Sequence, residues 1–470
     1  MEPLSLTAAD VAAAARGQVI YGDPETRLGR IGIDSRTLES GDFFVAIKGE
    51  RFDGHQFVAE ALSRGAIGAL VENAPDVVQT GEGRAAPVLI QVPDTTRALQ
   101  DLARDVRKRS GARVVAITGS AGKTTTKEVA AEFLAARYRV FRNKGNLNNH
   151  IGLPLSLLEL RSRPEIAVVE LGMNHPGEIR TLVGIAEPDV RVWTNVGDAH
   201  LGFFESADAI ADAKAEILEQ AQPADVLVAN ANDPRIVART EWFTGRLVTF
   251  GIETDADVMA TGIEHRGLQG MTAHLHTPAG DAQLSTRLLG LGNLANVLAA
   301  TAVAIQFDVP VSEIVERSER LRPATHRGEL SRLPGGITLI DDSYNSSPAA
   351  LRQALETLAR AEGCARRVAV LGEMLELGAH AERLHAESGR VAAEARIDVL
   401  ITVGATAART MADAAVAGGM PAQNVAYVTT REEAADVALR RVRPGDLVLV
   451  KGSRGIGTDL VVDRLKVEFG

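Results

Sequence analysis

Residues Val114 to Lys127 read V-V-A-I-T-G-S-A-G-K-T-T-T-K. Val114–Ile117 is a short apolar run, the pattern of a buried strand. A turn of small residues follows, and Val129, Phe133 and Leu134 then recur at helical spacing. Gly119 and Gly122 let the backbone take positive φ and approach a ligand closely. Amide N–H groups of such a turn point inward, and the helix behind it adds the positive end of its dipole. Lys123 supplies a point charge for terminal phosphates, and the Thr124 hydroxyl suits Mg²⁺. The longer phosphate-loop pattern carries another glycine five residues before Gly122, where this chain has Ile117. What remains is G-x-x-G-K-T, whose plainer reading is a strand–turn–helix with a solvated Lys and Thr. A strand before it and a helix after it favour phosphate binding.

Around this stretch the chain alternates strands and helices. The spacing predicts a helix over Asp94–Arg109, capped by Asp94 or Thr95. Strands are expected at Arg139–Phe141, Ile166–Glu170, Val190–Asn195, Val226–Ala229 and Leu247–Phe250. That alternation implies a parallel sheet with helices on both faces, and ligands beyond the carboxyl ends of its strands. Residues 256–289 read as an antiparallel insertion, followed by an Ala-rich helix from Gly290. From Pro323, strands at Ile337–Ile340, Arg367–Leu371, Val399–Val403 and Leu447–Val450 alternate with helices, a second doubly wound layer. Before Asp94, a short helix capped by Thr7 and several short strands fit a small α/β domain. The expected architecture is therefore α/β in three domains. Residues 1–94 form a small α/β domain, 95–322 a central P-loop, parallel-sheet domain, and 323–470 a Rossmann-like domain.

Length and composition agree: 470 residues exceed one ordinary core, and 45% hydrophobic with 24% charged residues is a globular profile. A net charge of −10 argues against nucleic acid as partner, so an anionic ligand needs local cations. The single cysteine, Cys364, excludes an internal disulfide and fits a reducing compartment. With no secretory signal and no apolar run of membrane-spanning length, a cytoplasmic monomer is expected.

Several polar residues stand where strands end. Glu170 closes A-V-V-E, either as a Mg²⁺ ligand or as a solvated terminus. His200 follows another strand, in T-N-V-G-D-A-H, as a structural histidine or a ligand. Lys214 falls with Ile210, Ile217, Leu218 and Ala221 on one face of a helix capped by Ser206. Either its stem is buried with the amine wet, or the amine sits in a pocket with a lowered pKa. Asn143–Pro154 is dense in Asn and Gly, and Asn148 and Asn149 could orient anionic oxygens. Asp34, Ser35 and Arg36 form a polar turn whose plain reading is a local ion pair. Asp341 to Pro348, D-D-S-Y-N-S-S-P, and K-G-S-R ending at Arg454 again follow strands.

Taken in order, D-S-R, G-D-F-F-V-A-I-K-G, D-G-H, T-G-S-A-G-K-T-T-T-K, G-N-L-N-N-H-I-G-L-P, E-L-G-M-N-H-P-G-E-I, T-N-V-G-D-A-H-L, A-K-A-E-I, D-D-S-Y-N-S-S-P, L-G-E-M-L-E-L-G and K-G-S-R span Asp34 to Arg454. This series resembles the Mur ligases, the ATP-dependent amide-forming ligases of peptidoglycan synthesis. D-D-S-Y-N-x-x-P and L-G-E-M-x-E-L-G point to the branch that adds D-Ala-D-Ala; the alternative is another Mur-type or folylpolyglutamate-type amide ligase. The resemblance implies that a UDP-MurNAc-tripeptide carboxylate is phosphorylated by ATP and then attacked by the amine of D-Ala-D-Ala. It implies ATP contacts from Gly119, Ser120, Ala121, Gly122, Lys123, Thr124, Thr125, Asn293, Asn296, Arg327 and Asp341. Mg²⁺ would be held by Thr124, Glu170 and His200. Lys123, His200 and Lys214 would be catalytic, Lys214 as a carbamate. Asp34, Ser35, Arg36, Lys48, Asp53 and His55 would recognise the UDP-sugar, with Asn148 and Asn149 also touching substrate. Asp342, Asn345, Pro348 and Arg454 would form the dipeptide pocket. The family's usual G-x-H-N appears here as Gly290-Leu291-Gly292-Asn293, without the histidine. A site shared by three domains implies closure on ATP, with a hinge near Arg322–Pro323.

Overall fold

The computed structural model describes residues 2–49, 52–74, 86–198 and 201–470. His200 therefore lies outside the described residues. The chain packs as two compact units. One takes residues 1–116, 138–173 and 177–190; the other takes 117–137, 174–176 and 191–470. The chain passes from one to the other inside the strand Arg113–Thr118.

The first unit holds a five-stranded sheet in the order 18–21, 88–91, 68–71, 43–45, 31–32. Its strands run parallel except for the edge strand Gln18–Tyr21. Phe44, Ala69, Val71 and Leu89 pack on Val58 and Ala61 of a helix on one face. Thr7 caps the helix Ala8–Ala14 in a reciprocal capping box with Asp10. The helix Thr95–Ser110 starts at Asp94, whose carboxylate accepts from Arg97 N–H at 2.9 Å. Leu99, Leu102, Ala103 and Val106 form its buried stripe. In the same unit Val140–Arg142 pairs in parallel with Ile166–Glu170.

In the second unit the strands Val226–Asn230, Arg246–Ile252 and Val258–His265 pair in parallel. Met271–His276 and Ala282–Thr286 then continue antiparallel, which is the insertion expected from the sequence. The helices Lys123–Leu134 and Leu291–Ile305 pack against each other. A six-stranded sheet follows in the order 329–333, 337–342, 446–451, 366–372, 399–403, 425–428. Only its first pair is antiparallel. Val370, Ile401, Val450 and Leu465 belong to its fully buried core. Each such side chain contributes about 1.5–3 kcal/mol of burial free energy.

The helical face carrying Lys214 is shorter than the spacing implied. The α-helix spans Ala207–Ala215, a single 3₁₀ turn takes Glu216–Leu218, and Gln220 has positive φ. Glu219 is already extended, with ψ 157°, so Ala221 does not continue the stripe. Among the described residues no helix is long and apolar enough to cross a membrane.

Candidate active site

The strand Arg113–Thr118 delivers the chain to Gly119, and the helix Lys123–Leu134 starts at Gly122 with φ 81°. These two glycines are fixed by space as well as by conformation. A Cβ on Gly119 would strike Thr194 Oγ1, and one on Gly122 would strike Asn296 Oδ1. Neighbouring side chains hold the turn open. Ala121 N–H donates to Asn195 Oδ1 at 2.8 Å, and Asn195 Nδ2 returns to Ala121 O at 3.0 Å. Thr194 Oγ1 donates to Ala121 O at 2.7 Å. Ser120 Oγ accepts from Gly197 N–H at 2.9 Å. Lys123 Nζ reaches back to Gly119 O at 2.8 Å, which keeps the ammonium over the mouth of the loop.

A cavity of about 540 Å³ opens on this loop. Ser120, Ala121, Gly122 and Thr125 form one end, Phe250, Ile252 and Leu291 an apolar part, and Arg327, Asp342, Asn345 and Lys451 another wall. Arg327 Nη2 donates to Thr124 Oγ1 at 3.4 Å, and its guanidinium lies 4.0 Å from the centre of the Tyr344 ring. Arg454 lies on the same ring at 5.5 Å. Lys451 is buried and donates to Asp342 Oδ2 at 2.6 Å and Asn345 O at 3.0 Å. Ser346 Oγ, in the same loop, is buried with no hydrogen-bond partner among the described residues. Asn293 and Asn296 line the cavity; Asn296 Oδ1 accepts from Thr126 Oγ1 at 3.2 Å.

Asp341 sits differently from its neighbours. It is fully buried, with Oδ2 on His326 Nδ1 at 2.7 Å and Oδ1 accepting from Ser343 Oγ at 2.6 Å. It does not line the cavity but holds His326 and Ser343, the chain neighbours of Arg327 and Asp342, which do. Pro348 is the first residue of the helix Pro348–Arg360, where its missing N–H costs nothing. Lys214 is wholly buried, and its pKa is pushed well below the ordinary lysine value, first by burial and then by the charge of Lys123.

The first unit carries the other expected residues. Arg36 makes a two-pronged pair with Asp34, 2.9 and 2.8 Å, which pulls the Asp34 pKa down to about 2. Ser35 is buried between them. Lys48 bridges to Asp53 through backbone pairing. Glu72 N–H donates to His55 Nε2 at 2.8 Å, so His55 carries its proton on Nδ1 and gives it to Asp53 Oδ1 at 2.6 Å. Glu170 is buried at the end of its strand and accepts from Asn148 Nδ2 at 2.5 Å. Asn149 Oδ1 is used by the N–H groups of Ile151 and Gly152 at the start of the helix Gly152–Leu158. Among the described residues no three His, Cys, Asp or Glu side chains converge as a metal cluster.

Three family models match in chain order: the Mur ligase family catalytic domain over residues 27–107, the Mur ligase middle domain over 117–304, and the Mur ligase glutamate ligase domain over 326–454. The UDP-N-acetylmuramoyl-tripeptide--D-alanyl-D-alanine ligase of Bacillus subtilis is 33% identical over 94% of each chain. The chain belongs to the Mur ligase family. Among solved structures, MurF from Acinetobacter baumannii superposes with a TM-score of 0.88 at 34% identity, covering 99% of this chain and all of that one. MurF from Thermotoga maritima, solved with ADP, gives 0.81 at 29% identity over 94% and 97% of the two chains.

Several residues of this Mur ligase's cavity carry no role in the sequence reading. Thr194 and Asn195 brace the phosphate loop. Asn230 ends the strand Val226–Asn230 and Asn232 stands just beyond it, where the strand-end rule itself points. Lys451, by contrast, belongs to the K-G-S-R whose two cations after a strand suit a carboxylate or phosphate, and it turns to Asp342 and Asn345. Gln353 comes from the exposed face of a helix, and no motif marks it.

Proposed function

We propose that this chain joins D-Ala-D-Ala to UDP-MurNAc-tripeptide, converting ATP to ADP and phosphate and giving UDP-MurNAc-pentapeptide. The observation that carries this is one cavity lined both by the phosphate loop and by the loop Asp342–Ser347 with Lys451. It offers a polyanion and a second polar substrate a common wall. The names of the relatives, and ADP in the Thermotoga protein, favour the same reaction.

In the first step a tripeptide carboxylate oxygen bonds to the γ-phosphorus of ATP, and the bond to the ADP oxygen breaks. In the second the dipeptide amine attacks the acyl carbon, phosphate leaves and the amine gives up a proton. Phosphoryl transfer rests on positioning and charge stabilisation. Lys123 and the amides of Gly119–Thr125 hold the β- and γ-phosphates, and Arg327 neutralises charge beside Thr124. Asn293 and Asn296 shape the nucleoside end, with Asp341 holding His326 and Ser343 in place. The hard oxygens of Thr124 and Glu170 suit Mg²⁺, with His200 as a further ligand in the family reading. When bound, Mg²⁺ supplies charge neutralisation at phosphate oxygens. Burial, and then the charge of Lys123, holds the Lys214 pKa well below the ordinary lysine value, which favours the neutral amine that adds CO₂ and loses a proton to become a carbamate. Asp34, Ser35, Arg36, Lys48, Asp53 and His55 take the UDP-sugar, with Asn148 and Asn149 placing substrate. Asp342, Asn345, Pro348 and Arg454 take the dipeptide. The three-way division at residues 94 and 322 assigns these tasks to successive domains.

The test is orthophosphate release with ATP and UDP-MurNAc-tripeptide across a panel of amine acceptors. Full turnover is expected only with D-Ala-D-Ala. Equal turnover with a single amino acid such as glutamate or a diamino acid moves the chain to another branch of the family.

A further inference from the structure

Gly292 is the second residue of the helix Leu291–Ile305, and its φ lies outside the left-handed region. Nothing in its backbone asks for glycine, which within a helix costs up to about 1 kcal/mol relative to alanine. What sits above it is the end of a side chain. The nearest atoms to a Cβ built there are Gln353 Oε1, then Cδ at 3.2 Å and Nε2 at 3.4 Å. The whole carboxamide of Gln353, carried by the helix Pro348–Arg360, covers the bare face of Gly292.

Gln353 lines the cavity together with Leu291 and Asn293. Seven carboxamides line this cavity, and six are tied to the protein. Asn195, Asn230, Asn232, Asn293, Asn296 and Asn345 each make at least one side-chain hydrogen bond within the chain. The Gln353 carboxamide makes none among the described residues. It is the amide left with both its donor and its acceptor for a ligand. A planar donor–acceptor pair matches the exocyclic amine and N7 of adenine with two hydrogen bonds, whereas guanine shows two acceptors on the same edge.

We propose that Gln353 reads the adenine edge of the nucleotide, and that Gly292 is glycine to leave room for its carboxamide. This rests on the nucleotide reading of the cavity but not on the identity of the acceptor. It makes Gln353 a specificity-determining residue supplied by the helix Pro348–Arg360 and not by the phosphate loop.

Calorimetric titration of the full chain with ATP and with GTP, without acceptor, tests it. The wild type binds ATP more tightly than GTP. Gln353→Ala weakens ATP about tenfold and GTP less than twofold, so the preference falls. Gly292→Ala, whose methyl displaces the carboxamide, weakens ATP to a similar degree although alanine favours the helix. In the double variant the two losses do not add, because both remove the same contact. Equal weakening of ATP and GTP, additive losses, or unchanged ATP affinity in Gln353→Ala each overturns the proposal, as does a wild type that binds neither nucleotide. A wild type that prefers ATP, with variants behaving as expected but no D-Ala-D-Ala-dependent phosphate release, upholds the role of Gln353 and removes only the ligase reading.

Discussion

Lys214 shows how one residue can cost stability and supply chemistry. Its stem and amine are buried, and its folded pKa is held well below 10.5 by burial and then by Lys123. The unfolded chain therefore binds this proton more tightly. Stability rises with pH between the depressed folded value and about 10.5, and the penalty is complete below the folded value. Lys214→Met removes that penalty. In bicarbonate-free buffer the variant should be more stable at pH 7, by about 1–4 kcal/mol in urea denaturation, the gain fading toward pH 10.5. Turnover should be lost. Equal stability of the two proteins at pH 7 counts against a buried, uncompensated amine. Arg327 makes a separate prediction. Its guanidinium stacks on Tyr344 and reaches Thr124, a planar geometry that an ammonium cannot copy. Arg327→Ala and Arg327→Lys should both raise the KM for ATP, by about ten- to a hundredfold for alanine, as expected for a charged hydrogen bond. Full rescue by lysine would reduce Arg327 to a point charge. The sequence alone placed Lys214 on an apolar face but left its amine undecided. Periodicity reports which face is buried, not how far a long side chain can reach toward water.

At the scale of elements, what was legible followed from local rules. The strand at 166–170, the antiparallel insertion after 256 and the caps at Thr7, Asp94 and Ser206 all stand where spacing and capping chemistry put them. The helix Thr406–Ala417 was missed: its alanines give little contrast between faces, although Ala408, Met411 and Ala415 are buried. The glycine turn before the helix Lys123–Leu134 was read from its sequence. Its braces Thr194 and Asn195 were not, and Asn296 was expected only as a nucleotide contact, because these residues come from other strands and helices and only the fold brings them there. That bracing makes the loop a poor place for any side chain. Gly122→Ala must adopt φ near 81° and displace Asn296 Oδ1. It should destabilise the chain by about 1–3 kcal/mol and abolish saturable ATP binding. A variant that binds ATP as the wild type does would mean that the loop can shift to admit a methyl group.

On the scale of the molecule, the cavity joins segments far apart in sequence, since the matched regions 117–304 and 326–454 both line it. The covalent link between them runs through Arg322–Pro323. Contacts between the two regions include Arg327 on Thr124, the Gln353 carboxamide over Gly292, Arg360 on His265 and the Gly202 N–H on Glu376 O. Small polar contacts of this kind hold segments weakly, so a ligand that touches both walls shifts their separation at little cost. ATP is expected to draw the helices Lys123–Leu134 and Pro348–Arg360 together, with Pro323 limiting the freedom of the turn between them. The single native cysteine makes the measurement simple. Spin labels at Ala135→Cys and Glu362→Cys in a Cys364→Ser background report the distance between the two walls. A broad distribution should narrow and shorten when ATP is added, and Arg327→Ala should blunt the change. Identical distributions with and without saturating nucleotide would mean that the cavity is already assembled, and the catalytic order would then depend on substrate entry instead of on closure.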